Sequence, residues 1–417
     1  MKTIIRIFIA ALIGWGCTSS SGNGVVSPPK DDSLEYYPPT PVKLDKQLFR
    51  HYFREVSHFF ETGLLNRGFS GGILVAKDGN IIYEKYAGYA NPKIKEAFTD
   101  STSTHIASSG KTFTGMAILR MAQDGLIALD DQMEKFFPGF PYPGVSVQML
   151  LTHRSGLPNY VYFMPKNEWK DRQVTNQDVL DYMLTKKPNR SFSPGRRFSY
   201  SNTNYVLLAL IIEKVSGLSF PDYMKARYFE PLGMHHTFVY STKENQNVIS
   251  SYQAGGSVWD NDHLEGTYGD KNIYTTPRDL LKWDQAFYTD QIINKRFLDS
   301  AFTPYSNERP SVHNYGLGWR LLMLPNGKKV VYHNGRWHGF NAAFARLIDE
   351  KVTIIVLGNK YNSRIYSNAR KSYDIFGDYL QDGDRDDDDA EMAESSHKTA
   401  SVQKSSSLAA RKVKNKG

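Results

Sequence analysis

Apolar residues recur at three- and four-residue intervals from Lys46 to Leu65, which predicts an amphipathic helix at the start of the globular part. Two short strand-like runs follow, Gly72 to Ala76 and Ile81 to Tyr86, and Asp78-Gly79 between them predicts a hairpin turn. Phe113, Met116, Ala117 and Met121 then share one helical face, with Gly125 placed to end that helix. Thr203 to Val215 is apolar almost throughout and stops before Gly217, the pattern of a buried helix. The stretch from Leu129 to about Trp259 reads as helix and loop. From Tyr315 onward strands dominate: Lys329 to His333, Phe340 to Ile348 and Val352 to Gly358, closed by a helix near Arg364 to Leu380. This order predicts an α/β (α+β) fold in which the first hairpin and the last strands form one antiparallel sheet. Terminal helices should cover one face and the helix after Ser108 the other. The mostly helical middle should form an inserted lobe, with a cleft between it and the sheet.

The ends of the chain have a different composition. Lys2 and Arg6 precede an apolar run from Ile7 to Ile13, then Gly14-Trp15-Gly16 and Cys17. That is a charged n-region, a short h-region and small residues before a cut; the run is too short for the roughly 20 residues of a membrane span. The placement of Cys17 resembles a bacterial lipoprotein box, although Gly14 stands where Leu is usual. It implies a lipoprotein-type signal peptide over residues 1–17, cut so that a lipidated Cys17 anchors the protein in the cell envelope, facing the periplasm or the exterior; the alternative is a plain cleaved signal peptide. Cys17 is also the single cysteine, so neither an internal disulfide nor a catalytic thiol is available. Residues 18–44 read as a flexible tether, and residues 381–417 as a charged, disordered tail. Between them, residues 45–380 of a 417-residue chain with 40% apolar content can bury one large core. The net charge of +8 is scattered, which gives no case for a nucleic-acid partner.

Three short patterns carry chemistry: Ser108-Ser109-Gly110-Lys111, Tyr200-Ser201-Asn202 and His333-Asn334-Gly335. Together they supply a nucleophile, a proton shuttle and a substrate-binding strand, the parts of an acyl-serine hydrolase. Each alone is weak. A Ser-x-x-Lys tetrad arises by chance roughly once or twice in a chain of this size, and Ser395-Ser396-His397-Lys398 and Ser401-Val402-Gln403-Lys404 also fit. Tyr89-Ala90-Asn91 and Tyr366-Ser367-Asn368 mimic the second pattern. Context separates them. Ser108 stands at or just inside a helix N-terminus with Lys111 one turn on, where an amine can take its proton and the helix dipole favours the alkoxide. The tail tetrads have no apolar stripe beside them. Tyr200 follows a turn, Ser193-Pro194-Gly195, and leads into the buried helix. Gly110-Lys111-Thr112 is no phosphate loop, because His105 stands where that motif needs glycine. His235-His236 lacks the spacing and partners of a metal site, so neither a metal nor a cofactor is expected.

With these motifs in order, the chain resembles the serine β-lactamase and penicillin-binding-protein superfamily, on the class C side with D-alanyl-D-alanine carboxypeptidases and related esterases. Leu150 to Pro158, Phe229 to Met234, Asp279 to Trp283 and Tyr315 to Trp319 resemble phrases of that branch. One departure bears on substrate: many relatives carry Lys-Thr-Gly or Lys-Ser-Gly where this chain has His333-Asn334-Gly335. The resemblance implies a β-lactamase/transpeptidase-like fold and an acyl-enzyme on Ser108. Lys111 or Tyr200 acts as the base, and Tyr200 as donor to the leaving group. Asn202 is expected to hold the Lys111 ammonium and the substrate amide, and His333 to touch the substrate's polar end or orient Tyr200. Asn334 and Gly335 should line the substrate, Gly335 because a side chain would block its backbone. The oxyanion is expected between the backbone N–H groups of Ser108 and Arg336. Substrates of this class are D-amino-acid peptides, including cell-wall peptide, esters and β-lactams. His333 in place of Lys argues against an efficient β-lactamase, although Arg336 and Arg346 could supply positive charge. The alternative is a penicillin-binding or sensor protein that acylates without efficient turnover.

Overall fold

The computed structural model describes residues 36–169, 171–242 and 248–380. Asp45 caps the first helix, α1 (Lys46–Gly63), its carboxylate accepting from the N–H groups of Gln47 at 2.8 Å and Leu48 at 3.2 Å. Strands β1 (Gly71–Lys77) and β2 (Asn80–Ala87) form the expected hairpin. Asp78 and Gly79 both turn with positive φ, 50° and 78°, as a two-residue hairpin loop requires. The C-terminal strands are β3 (His313–Tyr315), β4 (Arg320–Met323), β5 (Lys329–Trp337), β6 (Phe340–Leu347) and β7 (Val352–Gly358). All seven join in one antiparallel sheet, ordered β2-β1-β7-β6-β5-β4-β3. The two ends of the chain thus meet where β1 pairs with β7.

Both sheet faces are apolar because alternate side chains point opposite ways. Ile73, Val75, Ile354 and Val356 lie against Val56 and Phe60 of α1 and Ile365 and Ala369 of α5 (Arg364–Lys371). Leu74, Ala76, Ile355 and Leu357 point to the other face, toward α2 (Lys111–Gln123) and α4 (Pro277–Ala286). There Phe113 stacks on Trp283 at 4.1 Å between ring centroids. The buried helix of the middle lobe is α3 (Asn202–Ser216), with Thr203 to Ile212 buried and Gly217 closing it at φ 72°. A small three-stranded sheet joins Thr104–His105, Ile273–Thr275 and Phe238–Val239, tying the segment before Ser108 to the segment after Asp270.

Two boundaries differ from expectation. β5 does not end at His333: its register with β6 continues to Trp337 opposite Phe340, and the turn falls at His338, φ 51°, and Gly339. Asn334-Gly335 looks like a turn, but here it is strand. The closing helix is shorter than residues 364–380, ending at Lys371 and followed by the 3-10 turn Ser372–Ile375. Cys17 and residues 1–17, most of the tether and the 381–417 tail with its two tetrads lie outside the described residues.

Candidate active site

The nucleophile segment is bent before it becomes helix. Ala107 sits at φ 48°, a region non-glycine residues rarely occupy, and Ala107–Gly110 form a 3-10 turn leading into α2. Buried His105 holds this turn: its Nδ1 accepts from the Ala107 N–H at 3.1 Å while its Nε2 lies 2.9 Å from Asn272 Oδ1. The two serines part ways here. Ser109 is buried and donates to the His333 carbonyl at 2.9 Å, whereas Ser108 is half-buried. Lys111, fully buried one turn on, donates from Nζ to Ser108 Oγ at 3.0 Å and to the Asp270 carbonyl at 2.7 Å. Burial lowers the Lys111 amine to about 7; Asp270 opposes that shift and Arg320 adds to it.

Tyr200 joins this pair, its ring 5.0 Å from Lys111 Nζ and 5.4 Å from the Arg320 guanidinium. His153, fully buried at φ 54°, packs its ring 4.3 Å from that of Tyr200. His153 Nδ1 accepts from the Ser201 N–H at 3.2 Å, fixing the chain next to Tyr200. Asn202 is the first residue of α3 and half-buried, but no hydrogen bond joins it to Lys111.

His333 lies beside Tyr200, with 6.5 Å between ring centroids, and is tied into the protein. It is 1% exposed, its Nε2 lies 3.2 Å from Tyr315 Oη, and its Nδ1 lies 2.7 Å from the Asn334 carbonyl. Burial, with Arg320 and Lys111 nearby, pushes it well below the usual histidine range, so it carries no charge switch near pH 6.5. Gly335 is required by the protein's own packing. A Cβ there would stand 2.1 Å from the Ile106 carbonyl oxygen and 3.0 Å from the Ser108 nitrogen, so β5 packs on the protein's own nucleophile turn. Asn334 and Arg336 are half-buried neighbours on the same strand, the Arg336 guanidinium lying 5.8 Å from the Tyr361 ring. Arg346 is not available to a substrate: it is 1% exposed and its Nε pairs with Asp284 Oδ1 under α4. Tyr366, in the decoy pattern, packs behind the strand and donates to the Gly335 carbonyl at 2.9 Å.

His105, His153, Asp270, Arg320 and Tyr315 were missed as site residues by motif reading. His153 and Tyr315 lie inside phrases that gave the family resemblance; the other three had no signal. Asp262, Glu265 and His338 place their donor atoms within 4.8 Å of one another. The Glu265 carboxylate there accepts from Trp337 Nε1 at 3.0 Å and lies 2.7 Å from His338 Nε2, clamping the β5–β6 turn.

A half-buried serine one turn before a buried lysine whose amine is lowered to about 7, in the angle between an antiparallel sheet and a helical lobe, defines a serine hydrolase-type site. Residues 53–372 match the family described as Beta-lactamase, and the chain belongs to that family, within the serine β-lactamase and penicillin-binding-protein superfamily. It is 34% identical over 333 residues to penicillin-binding protein 4* of Bacillus subtilis, covering 76% of this chain and 74% of that protein. Among solved structures it is similar to the octameric penicillin-binding protein homologue from Pyrococcus abyssi, with TM-score 0.65, 28% identity, and 74% and 73% of the two chains covered. It is also similar to D-amino acid amidase from Ochrobactrum anthropi SV3 complexed with L-phenylalanine amide, with TM-score 0.65, 25% identity, and 79% and 97% covered.

Proposed function

We propose that the protein hydrolyses amide or ester bonds through an acyl-enzyme on Ser108. The observation that carries this reading is the Lys111 amine, 3.0 Å from Ser108 Oγ and lowered to about 7. A neutral amine there accepts the Ser108 proton as Oγ bonds to the substrate carbonyl carbon. Tyr200, beside the same amine, is the second candidate for that proton and the donor to the departing amine or alcohol. The oxyanion lies between the N–H groups of Ser108 and Arg336, which the close approach of Gly335 to the Ser108 nitrogen supports. Water then attacks the ester, Ser108 recovers its proton and the acid leaves.

D-amino-acid amides and peptides are the favoured substrates, with simple esters accepted. The names of the relatives support this, one a D-amino acid amidase and two penicillin-binding proteins or homologues. Those same names favour the second reading, a protein that acylates and does not turn over. One experiment separates the two. A fluorophosphonate should add once, on the peptide containing Ser108, and a nitrophenyl ester and a D-Ala-D-Ala peptide should each be turned over many times. A single stoichiometric burst supports the second reading, and an adduct on Ser109 defeats both.

A further inference from the structure

Behind Lys111 lies a buried charge pair that no step above uses. Asp270 is 2% exposed and Lys271 is 3% exposed. Lys271 Nζ donates to Tyr160 Oη at 2.8 Å and to Thr267 Oγ1, and Tyr160 Oη donates onward to Asp270 Oδ2 at 2.8 Å. The Lys271 ammonium stands 3.9 Å from Asp270 Oδ2 and 4.8 Å from the Trp337 ring centroid. The other Asp270 oxygen, Oδ1, is buried with no hydrogen-bond partner among the described residues. Burying an ion pair costs more than its attraction returns unless its hydrogen bonds are complete, and this one is incomplete. Such a pair is poorly explained as a device for stability. What distinguishes it is its neighbour: the main-chain carbonyl of Asp270 accepts from Lys111 Nζ at 2.7 Å.

We infer that Asp270 and Lys271 are positioning residues for Lys111: one segment pins the amine through its main chain and fixes, behind it, the opposed charges that set the field in which it works. The inference rests on the acyl-enzyme reading of Ser108 and Lys111. Every charged or titratable group around the amine enters the sign of the effect. Asp270 favours its ammonium form; Arg320 of β4 and Lys271 disfavour it. His153 and His333 are held neutral by burial. Tyr200 and Tyr205 present their rings at 5.0 Å and 5.7 Å. Removing the Asp270 charge therefore makes the base easier to deprotonate, and removing the Lys271 charge makes it harder. The sign is the same whether Lys111 or Tyr200 takes the proton.

The test is the pH dependence of kcat/KM for a neutral nitrophenyl ester, measured on the full chain as parent, Asp270→Asn, Lys271→Met and the double variant. The acid limb should move down by about one pH unit in Asp270→Asn and up by about as much in Lys271→Met. In the double variant it should return close to the parent. A pair that only supports the fold changes melting temperature or amplitude, and cannot move the limb in opposite directions. An unmoved limb, or one moving the same way in both single variants, overturns the inference while leaving Ser108 labelling intact. Failure of the parent itself to label at Ser108 overturns this inference and the acyl-enzyme reading together. Should Asp270→Asn not fold, Lys271→Met and the double variant still decide the matter, because only the former should shift.

Discussion

Two cations lie equally deep in this domain, and burial has opposite consequences for them. Arg346, 1% exposed, pairs with Asp284, whose other oxygen accepts from Thr353 Oγ1 at 2.6 Å. Burial opposes the Arg346 charge, but Asp284 and Tyr288 outweigh it, and the guanidinium titrates above its ordinary value. Lys111, 0% exposed, gives its hydrogen bonds among the described residues only to neutral oxygens, a hydroxyl and a carbonyl, and falls to about 7. Depth is the same; the partner differs. A carboxylate holds a cation in place as a cation, whereas a carbonyl holds an amine without requiring it to stay protonated. The first arrangement suits a core and the second suits a base.

Replacing Lys111 tests the second half of that contrast most severely. Lys111→Met should lower kcat/KM for a simple ester by at least 10²-fold, as loss of a general acid–base group does. Activity within tenfold of the parent would mean that the neutral amine takes no proton. Arg346→Met tests the first half. It should cost about 3–5 kcal/mol of unfolding free energy in urea titration, since Asp284 is left buried without its counter-charge. Ester turnover per folded molecule should be unchanged, and a loss under about 1 kcal/mol would remove the contrast. A smaller effect of opposite sign should accompany the inactive Lys111→Met protein. The amine binds its proton at an ordinary 10.5 in the unfolded chain and at about 7 when folded. Its cost to stability is therefore full below pH 7, shrinks as pH rises and vanishes above about 10.5. Lys111→Met should thus be more stable than the parent at pH 7, with the gain fading toward pH 10. An equal gain at both pH values would assign it to packing instead.

The parts of this contrast that could be read beforehand are the local ones. Asp78-Gly79 announced its hairpin, the apolar run ending at Gly217 announced α3, and the spacing of Ser108 to Lys111 placed amine and hydroxyl on one helical turn. All of these are encoded within a few residues. What stayed hidden depends on partners far along the chain. Arg346 looked free to serve a substrate because Asp284, 62 residues away, showed no sign of meeting it. His333 looked like a polar contact at a strand end, since nothing marked Tyr315 as its lid or continued β5 to Trp337. Asp270 and Lys271, adjacent charges in a loop, have the pattern of a solvated turn, and only the fold buries them. The Asp270 carbonyl as a partner of Lys111 stayed hidden for a related reason. A main-chain carbonyl can replace any side-chain acceptor, and main chain leaves no mark in a motif.

The contact of Gly335 with the Ile106 carbonyl has a consequence for how this cleft can diversify. Where β5 meets the turn carrying Ser108, backbone lies on backbone with no room for a single added carbon. The join between strand and nucleophile turn is thus made by main chain, and no side chain can be added there at Gly335. Tyr200, Asn202 and the half-buried Arg320 are, by contrast, side chains that mutation can exchange one at a time. Variation around Ser108 is therefore open at those side chains and closed at the strand contact.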